Sequence, residues 1–216
     1  MPIDTLPIDT VLIDYGAGNL HSVHKALLHS GLPVEITADP GRAAEATVLV
    51  LPGQGHFGQV MNSFLESGFE PVVRRHLAQQ RPFLGICVGL QLLLEGSEEA
   101  PDVPGLGMLR GTVRRFPTGM RVPQMGWNRL YKHGDSPLLA GLEDGAYAYF
   151  ANSYYAHFEA DLAGAQTTYG DVRFLSALSA GSLHATQFHP EKSQRVGLHI
   201  LSNFRATVTE AVSGAA

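Results

Sequence analysis

Cys87 is the only cysteine in a chain of 216 residues, and it stands in the run Pro82-Phe83-Leu84-Gly85-Ile86-Cys87-Val88-Gly89-Leu90-Gln91-Leu92-Leu93-Leu94. The run reads as a short apolar strand, a glycine-flanked turn and an amphipathic helix, which puts a thiol at a strand-to-helix elbow. Such a turn is tight and neighbouring backbone crowds the nucleophile, so Gly85 and Gly89 supply small flanks in the pattern G-x-C-x-G. At a helix N-terminus the unpaired N–H groups and the helix dipole favour thiolate over thiol. A buried structural cysteine is the plainer alternative, but it needs no glycine on either side.

A base is available further on. Leu183 to Lys192 reads as a strand ending in His189-Pro190-Glu191, where the proline stops the ladder and fixes the backbone. In extended geometry residues two apart share a face, so the Glu191 carboxylate can lie beside the His189 imidazole and hold its tautomer. A thiol, an imidazole and a carboxylate are the parts of an activated cysteine nucleophile. Alone, the same tripeptide suits a turn histidine with a surface glutamate. A third segment, Leu51-Pro52-Gly53-Gln54-Gly55-His56-Phe57, follows an apolar run. Its glycines allow backbone N–H groups to turn inward as an oxyanion hole, although an ordinary Gly-Pro turn has the same composition.

The elements that must position these groups alternate at first. Strands are expected over Thr10 to Tyr15, Val34 to Thr37, Thr47 to Leu51 and up to Cys87. Helices are expected over His21 to Ser30, Phe57 to Gly68, Glu70 to Gln80 and onward from Cys87. Beyond the cysteine helix, glycine and proline recur through Ser97 to Gly107. Further strands are expected at Gly111 to Phe116, Ala146 to Ala151, Phe174 to Ser179 and Leu183 to Gln187, and a closing helix from Ser193 to Val212. The expected fold is α/β, a doubly wound mixed sheet flanked by helices with an antiparallel extension. A tail over residues 1–9 precedes one domain over 10–212.

With 44% hydrophobic residues and a formal net charge of −5, the chain can bury a large core and offers no basic patch for nucleic acid or an anionic membrane. No apolar run reaches the eighteen or so residues of a membrane span. No basic-then-apolar leader opens the chain, so the expected location is cytoplasmic. A single cysteine forms no internal disulfide.

The order Pro-Gly-x-Gly, Gly-Ile-Cys-x-Gly-x-Gln, Phe-His-Pro-Glu-Lys-Ser resembles the class I glutamine amidotransferases, whose catalytic domain has a flavodoxin-like core and hydrolyses glutamine to glutamate and ammonia. Tyr15-Gly16-Ala17-Gly18-Asn19-Leu20, Gln124-Met125-Gly126-Trp127-Asn128 and Lys192-Ser193 are similar to the branch that serves as glutaminase subunits of imidazole glycerol phosphate synthase. The resemblance implies Cys87 as nucleophile, His189 as proton carrier and Glu191 as its orienting group. It implies Gln91, Glu99, Ser153 and Tyr154 as contacts to L-glutamine, and backbone N–H groups of Val88 and of Gly53, Gln54 and Gly55 around the oxyanion. It also implies a partner, a (β/α)₈-barrel cyclase docked at Asn19, Trp127, Tyr149 and Lys192 to receive ammonia, with no cofactor. Two positions depart from the family pattern: Gln54 stands where valine is usual, and Asn152 where histidine is usual.

Other motifs read blandly. Gly16-Ala17-Gly18-Asn19-Leu20-His21 lacks the third glycine of a dinucleotide fingerprint. His21, His24 and His29 have no second ligand cluster, so no metal is expected. Leu90, Leu93 and Leu94 read as helix packing. Three alternatives stay open: a glutaminase subunit of another synthase, such as the pyridoxal phosphate system, a scaffold whose catalysis has decayed, or a free-standing cysteine hydrolase of related fold without a synthase.

Overall fold

The computed structural model describes residues 8–16 and 18–214. Through these the chain runs β1 (Thr10–Ile13), α1 (Leu20–His29), β2 (Glu35–Thr37), α2 (Pro40–Glu45), β3 (Val48–Leu51), α3 (Phe57–Glu66), α4 (Glu70–Ala78), β4 (Phe83–Ile86) and α5 (Val88–Gln91). It continues through β5 (Gly111–Arg115), β6 (Gln124–His133), β7 (Ala146–Asn152), β8 (Tyr154–Phe158), β9 (Ala163–Tyr169), β10 (Val172–Ala180), β11 (Leu183–Thr186) and α6 (Gln194–Gly214), with 3₁₀ turns at Pro137–Leu139 and Pro190–Lys192.

Nine strands form one mixed sheet in the order β2-β1-β3-β4-β11-β10-β9-β6-β7, and β5 pairs with β8 as a separate ribbon. The block from β2 to β11 is parallel, and everything from β11 to β7 is antiparallel. The expected doubly wound sheet with an antiparallel extension is therefore present. β3 and β4, and β1 after Thr10, are continuous apolar runs, and all three strands are buried at every position, as parallel strands covered on both faces must be. β11 is also buried throughout although it carries polar groups. His184 meets the Ser179 hydroxyl at 3.0 Å and the Thr186 hydroxyl donates to the Phe188 carbonyl at 3.0 Å, so neither is buried without a partner.

The structure corrects the sequence reading in three places. The cysteine helix is a single turn, Val88–Gln91. Leu92, Leu93 and Leu94 turn their carbonyls to the N–H groups of Leu106, Met108, Leu109 and Gly107, at 2.8 to 3.0 Å, so the chain leaves the helix to pair with that loop. All three leucines and Leu90 are fully buried, which makes the expected amphipathic helix and leucine stripe a core segment instead.

Strands β6, β8 and β9 were not expected. β6 carries Asn128, Arg129 and Lys132 and buries only Gln124 and Leu130 of its ten residues, so its alternating Met125, Trp127 and Tyr131 lie on the exposed face and mark no core strand. β9 is built of small residues, with Gly164 packed so closely that a Cβ there would meet the Ala177 carbonyl oxygen at 1.8 Å. Finally, α2 begins at Pro40 behind the Asp39 N-cap, whose carboxylate accepts from the Gly41 N–H at 2.8 Å; this is ordinary capping chemistry that the reading passed over.

Asp9, the last residue of the expected tail, accepts from the N–H groups of Thr47 and Val48 at 2.9 and 3.0 Å and pairs with Arg42. Met1 to Pro7 lie outside the described residues. No helix of the described residues is long and apolar enough to cross a membrane.

Candidate active site

In an open α/β sheet, groups at the carboxyl ends of neighbouring parallel strands converge on one edge. Here the loops after β1, β3, β4 and β11 bring Tyr15, Gly53 to Gly55, Cys87 and His189 together, from four strands adjacent in the sheet.

Cys87 is the N-cap of α5, with φ 55° and ψ −109°, a backbone conformation that L-residues avoid and that persists only where the surroundings impose it. Two glycines make room for it. A Cβ on Gly89 would lie 2.0 Å from the Leu51 carbonyl oxygen, and one on Gly85 would lie 3.2 Å from the Gly89 backbone. The G-x-C-x-G spacing is therefore a packing requirement of this elbow.

His189 follows β11. Its N–H donates to the Tyr149 carbonyl at 3.0 Å, and the Ser193 hydroxyl donates to the His189 carbonyl at 2.7 Å while accepting from the Tyr149 N–H at 2.9 Å. The imidazole Nδ1 meets Glu191 Oε1 at 2.8 Å, which leaves Nε2 for the sulfur. The pair forms across the Pro190–Lys192 3₁₀ turn, not along the extended strand the sequence suggested, because Pro190 begins that turn and folds residue 191 back. The Glu191 side chain is 2% exposed and its Oε2 has no partner. Burial by itself would lower the imidazole pKa, but the neighbouring Cys87 and Glu191 outweigh it and hold the pKa up to about 10.

Beside the sulfur opens a cavity of about 260 Å³ lined by Cys87, Val88, Gln54, Gly55, Gln91, Glu99, Ser153 and Tyr154, and also by Pro123, Ala151 and Asn152. Four proposed glutamine contacts and most of the oxyanion segment thus share one wall system with the thiol. Gly53 lies beneath it, where a Cβ would meet the Gly89 nitrogen at 2.5 Å. Glu99 is anchored, its Oε2 accepting from the Phe57 N–H at 2.7 Å. The Val88 N–H faces the Gly53 carbonyl at 3.4 Å, so that donor is turned to the glycine strand and away from the open cavity. Asn152 donates to the Tyr154 carbonyl at 2.9 Å and keeps a buried Oδ1 without a partner.

Asn19, Trp127, Tyr149 and Lys192 lie apart from this cavity. Asn19 caps α1, its side chain accepting from the Ser22 N–H at 3.4 Å, and α1 packs against the turn that carries Lys192. Trp127 and Tyr149 are cross-strand partners with ring centroids 5.9 Å apart. Trp127 is exposed and Tyr149 half-buried, and beside them Met125, Tyr131 and Tyr147 are exposed, Met125 at 68%. The sequence reading missed these three, although the alternation 125, 127, 131 along one strand is a signal for a single apolar face. Among the described residues no cluster of three His, Cys, Asp or Glu is placed to hold a metal.

The family model described as "Glutamine amidotransferase class-I" matches residues 11–207. The chain belongs to the class I glutamine amidotransferases. This amidotransferase is 52% identical over 213 residues to the imidazole glycerol phosphate synthase subunit HisH of Deinococcus radiodurans, covering 97% of this chain and 98% of that one. It is 54% identical over 192 residues to the protein of the same name from Thermus thermophilus, covering 89% and 94%. Among solved structures a glutamine amidotransferase superposes with a TM-score of 0.71 at 21% identity, over 94% of the amidotransferase and 98% of that chain. A chain of PurLQS from Thermotoga maritima superposes at 0.67 with 16% identity, over 94% and 97%. At those identities the structural likeness concerns the fold.

Proposed function

We propose that this amidotransferase is the glutaminase subunit of an imidazole glycerol phosphate synthase in histidine biosynthesis, a single catalytic domain over 10–212 working in the cytoplasm with a (β/α)₈-barrel cyclase. The observation that carries the reading is the Cys87 elbow, beside His189 and Glu191, opening on a cavity of about 260 Å³. Identity above 50% to two HisH subunits across nearly the whole chain supports the choice of synthase.

In this reading the Cys87 sulfur attacks the side-chain carboxamide carbon of L-glutamine. The oxyanion that forms is met by backbone N–H groups of Val88 and the 53–55 strand. His189, protonated and held by Glu191, gives its proton to the departing nitrogen, so ammonia leaves and a glutamyl thioester remains. Water, deprotonated by the same imidazole, then releases glutamate. Gln91, Glu99, Ser153 and Tyr154 hold the amino-acid end.

Since the Val88 N–H faces the Gly53 carbonyl, rotation of the glycine-strand peptide is needed to complete the hole. Loss of one such donor costs about 10² to 10³ in rate, which makes that rotation a natural point for activation by the partner. The exposed face of Trp127, Tyr149 and their neighbours, with Asn19 and Lys192, suits a partly polar protein interface.

The experiment mixes the amidotransferase with a cyclase partner and its nucleotide substrate and measures glutamate release and synthesis. Cys87→Ala in the complex removes glutamine-dependent synthesis and leaves ammonia-dependent synthesis intact. Loss of both at saturating ammonia, with the complex assembled, contradicts separate glutaminase and cyclase roles.

A further inference from the structure

Behind the sulfur lies a chain of side-chain amides whose direction is set at one end. Gln91 Nε2 lies 3.3 Å from the Tyr154 carbonyl oxygen and 3.1 Å from Gln187 Oε1. A peptide carbonyl only accepts, so the amino group of Gln91 must face it, and the second N–H of that group goes to Gln187. Both hydrogens of Gln91 are then committed, and what it offers the cavity is its Oε1. With its own Oε1 occupied as an acceptor, Gln187 turns its amino group the other way, 3.8 Å from Cys87 Sγ. Gln187 is fully buried and Gln91 is 4% exposed, so bulk water does not stand in for any link.

Register places the two ends together. β4 and β11 are parallel with Ile86 opposite Thr186, and the residues that directly follow the two strands are Cys87 and Gln187. The Gln187 backbone is fixed as well, its N–H donating to the Ser176 carbonyl at 2.8 Å.

We infer that Gln187 serves as a hydrogen-bond donor to the Cys87 sulfur, favouring the thiolate and the rotamer that faces the cavity, with Gln91 as the positioning residue that fixes the direction of the Gln187 amide. A donor to sulfur stabilises the thiolate more than the thiol, because hydrogen bonds to a charged acceptor are the stronger ones. Other groups face the sulfur from neighbouring elements and stay in place throughout: His189, with Glu191 behind it, from the turn after β11; the Tyr15 phenol from the loop after β1; and Glu99 across the cavity. The consequence for turnover rests on the glutaminase reading; the state of the sulfur does not.

Gln187→Met keeps length and bulk and removes the donor. The whole chain has one cysteine, so the rate of its alkylation by iodoacetamide, followed across pH, reads that sulfur alone. In Gln187→Met the alkylation curve moves to higher pH and the rate at neutral pH falls roughly tenfold, the size expected for one hydrogen bond to a charged group. In the complex kcat for glutamine falls similarly with KM little changed. Gln91→Met leaves Gln187 free to turn and moves the curve the same way by a smaller amount. Circular dichroism reports folding, and where Gln187→Met does not fold, Gln91→Met decides. A folded variant whose curve superimposes on that of the unaltered chain overturns the proposal. A shifted curve in a chain that no cyclase induces to hydrolyse glutamine defeats the glutaminase reading instead and leaves the role of Gln187 standing.

Discussion

The Tyr15 phenol donates a hydrogen bond of 2.6 Å to the carbonyl oxygen of Pro52, 37 residues away. It joins the loop after β1 to the first residue of the glycine strand that flanks the sulfur. Burial and the nearby Cys87 both push the phenol's pKa up, so it remains a donor through the range in which the protein works.

Tyr15→Phe removes that donor and leaves a buried carbonyl without a partner. We expect a loss of about 1 to 3 kcal/mol in unfolding free energy, measured by chemical denaturation. Glutamine turnover with partner falls more than turnover with added ammonia, since only the former uses the strand.

Gly89→Ala places a Cβ 2.0 Å from the Leu51 carbonyl oxygen and 2.9 Å from its carbon. Both are backbone atoms of a buried strand, so relief requires moving β3. A destabilisation of about 3 kcal/mol or more is expected in thermal unfolding. A fully stable, active Gly89→Ala protein contradicts the elbow geometry.

Glu191→Gln keeps the shape of the turn and removes one of the two neighbours, beside Cys87, that hold the His189 pKa up. Glutaminase kcat falls by about 10². The stability difference from the unaltered protein has a defined pH window. A base whose folded pKa is raised above its unfolded value of 6.5 contributes fully below that value and loses the contribution as pH rises toward about 10. The two proteins therefore differ most below pH 6.5 and converge in alkali, as paired denaturation curves will show.

His76 and His184 behave oppositely. Burial lowers each to about 4 from 6.5, even though His76 Nε2 meets the Pro82 carbonyl at 2.9 Å. The unfolded chain binds these protons first, so the contribution is complete above pH 6.5 and is lost as pH falls toward 4. Each is worth on the order of 2 to 3 kcal/mol across that interval. His76→Gln flattens the slope of stability against pH between those limits; an unchanged slope contradicts the assignment.

The cysteine elbow and the histidine with its carboxylate were legible because their signals are local. Glycines at 85 and 89 signal a tight elbow, proline at 190 signals a break in regular structure and here opens the 3₁₀ turn that carries Glu191, and β3 and β4 announce themselves as apolar runs because parallel strands bury both faces. Strands β6 and β9 were not legible, since one is largely exposed at the antiparallel end of the sheet and the other packs through small residues. The length of α5 was misjudged because helix propensity in Leu92 to Leu94 loses to hydrogen bonds with a loop that returns some fourteen residues later.

Residue types by themselves determined that this chain sets its one cysteine between two framing glycines and a histidine two residues before a carboxylate. Tertiary structure alone decided that Gln187 faces the sulfur, that Tyr15 holds Pro52, and that the Val88 N–H is turned to Gly53. The reason is that these are pairings across strand register and choices of peptide orientation, set by which strands become neighbours and not by any local preference of the residues involved.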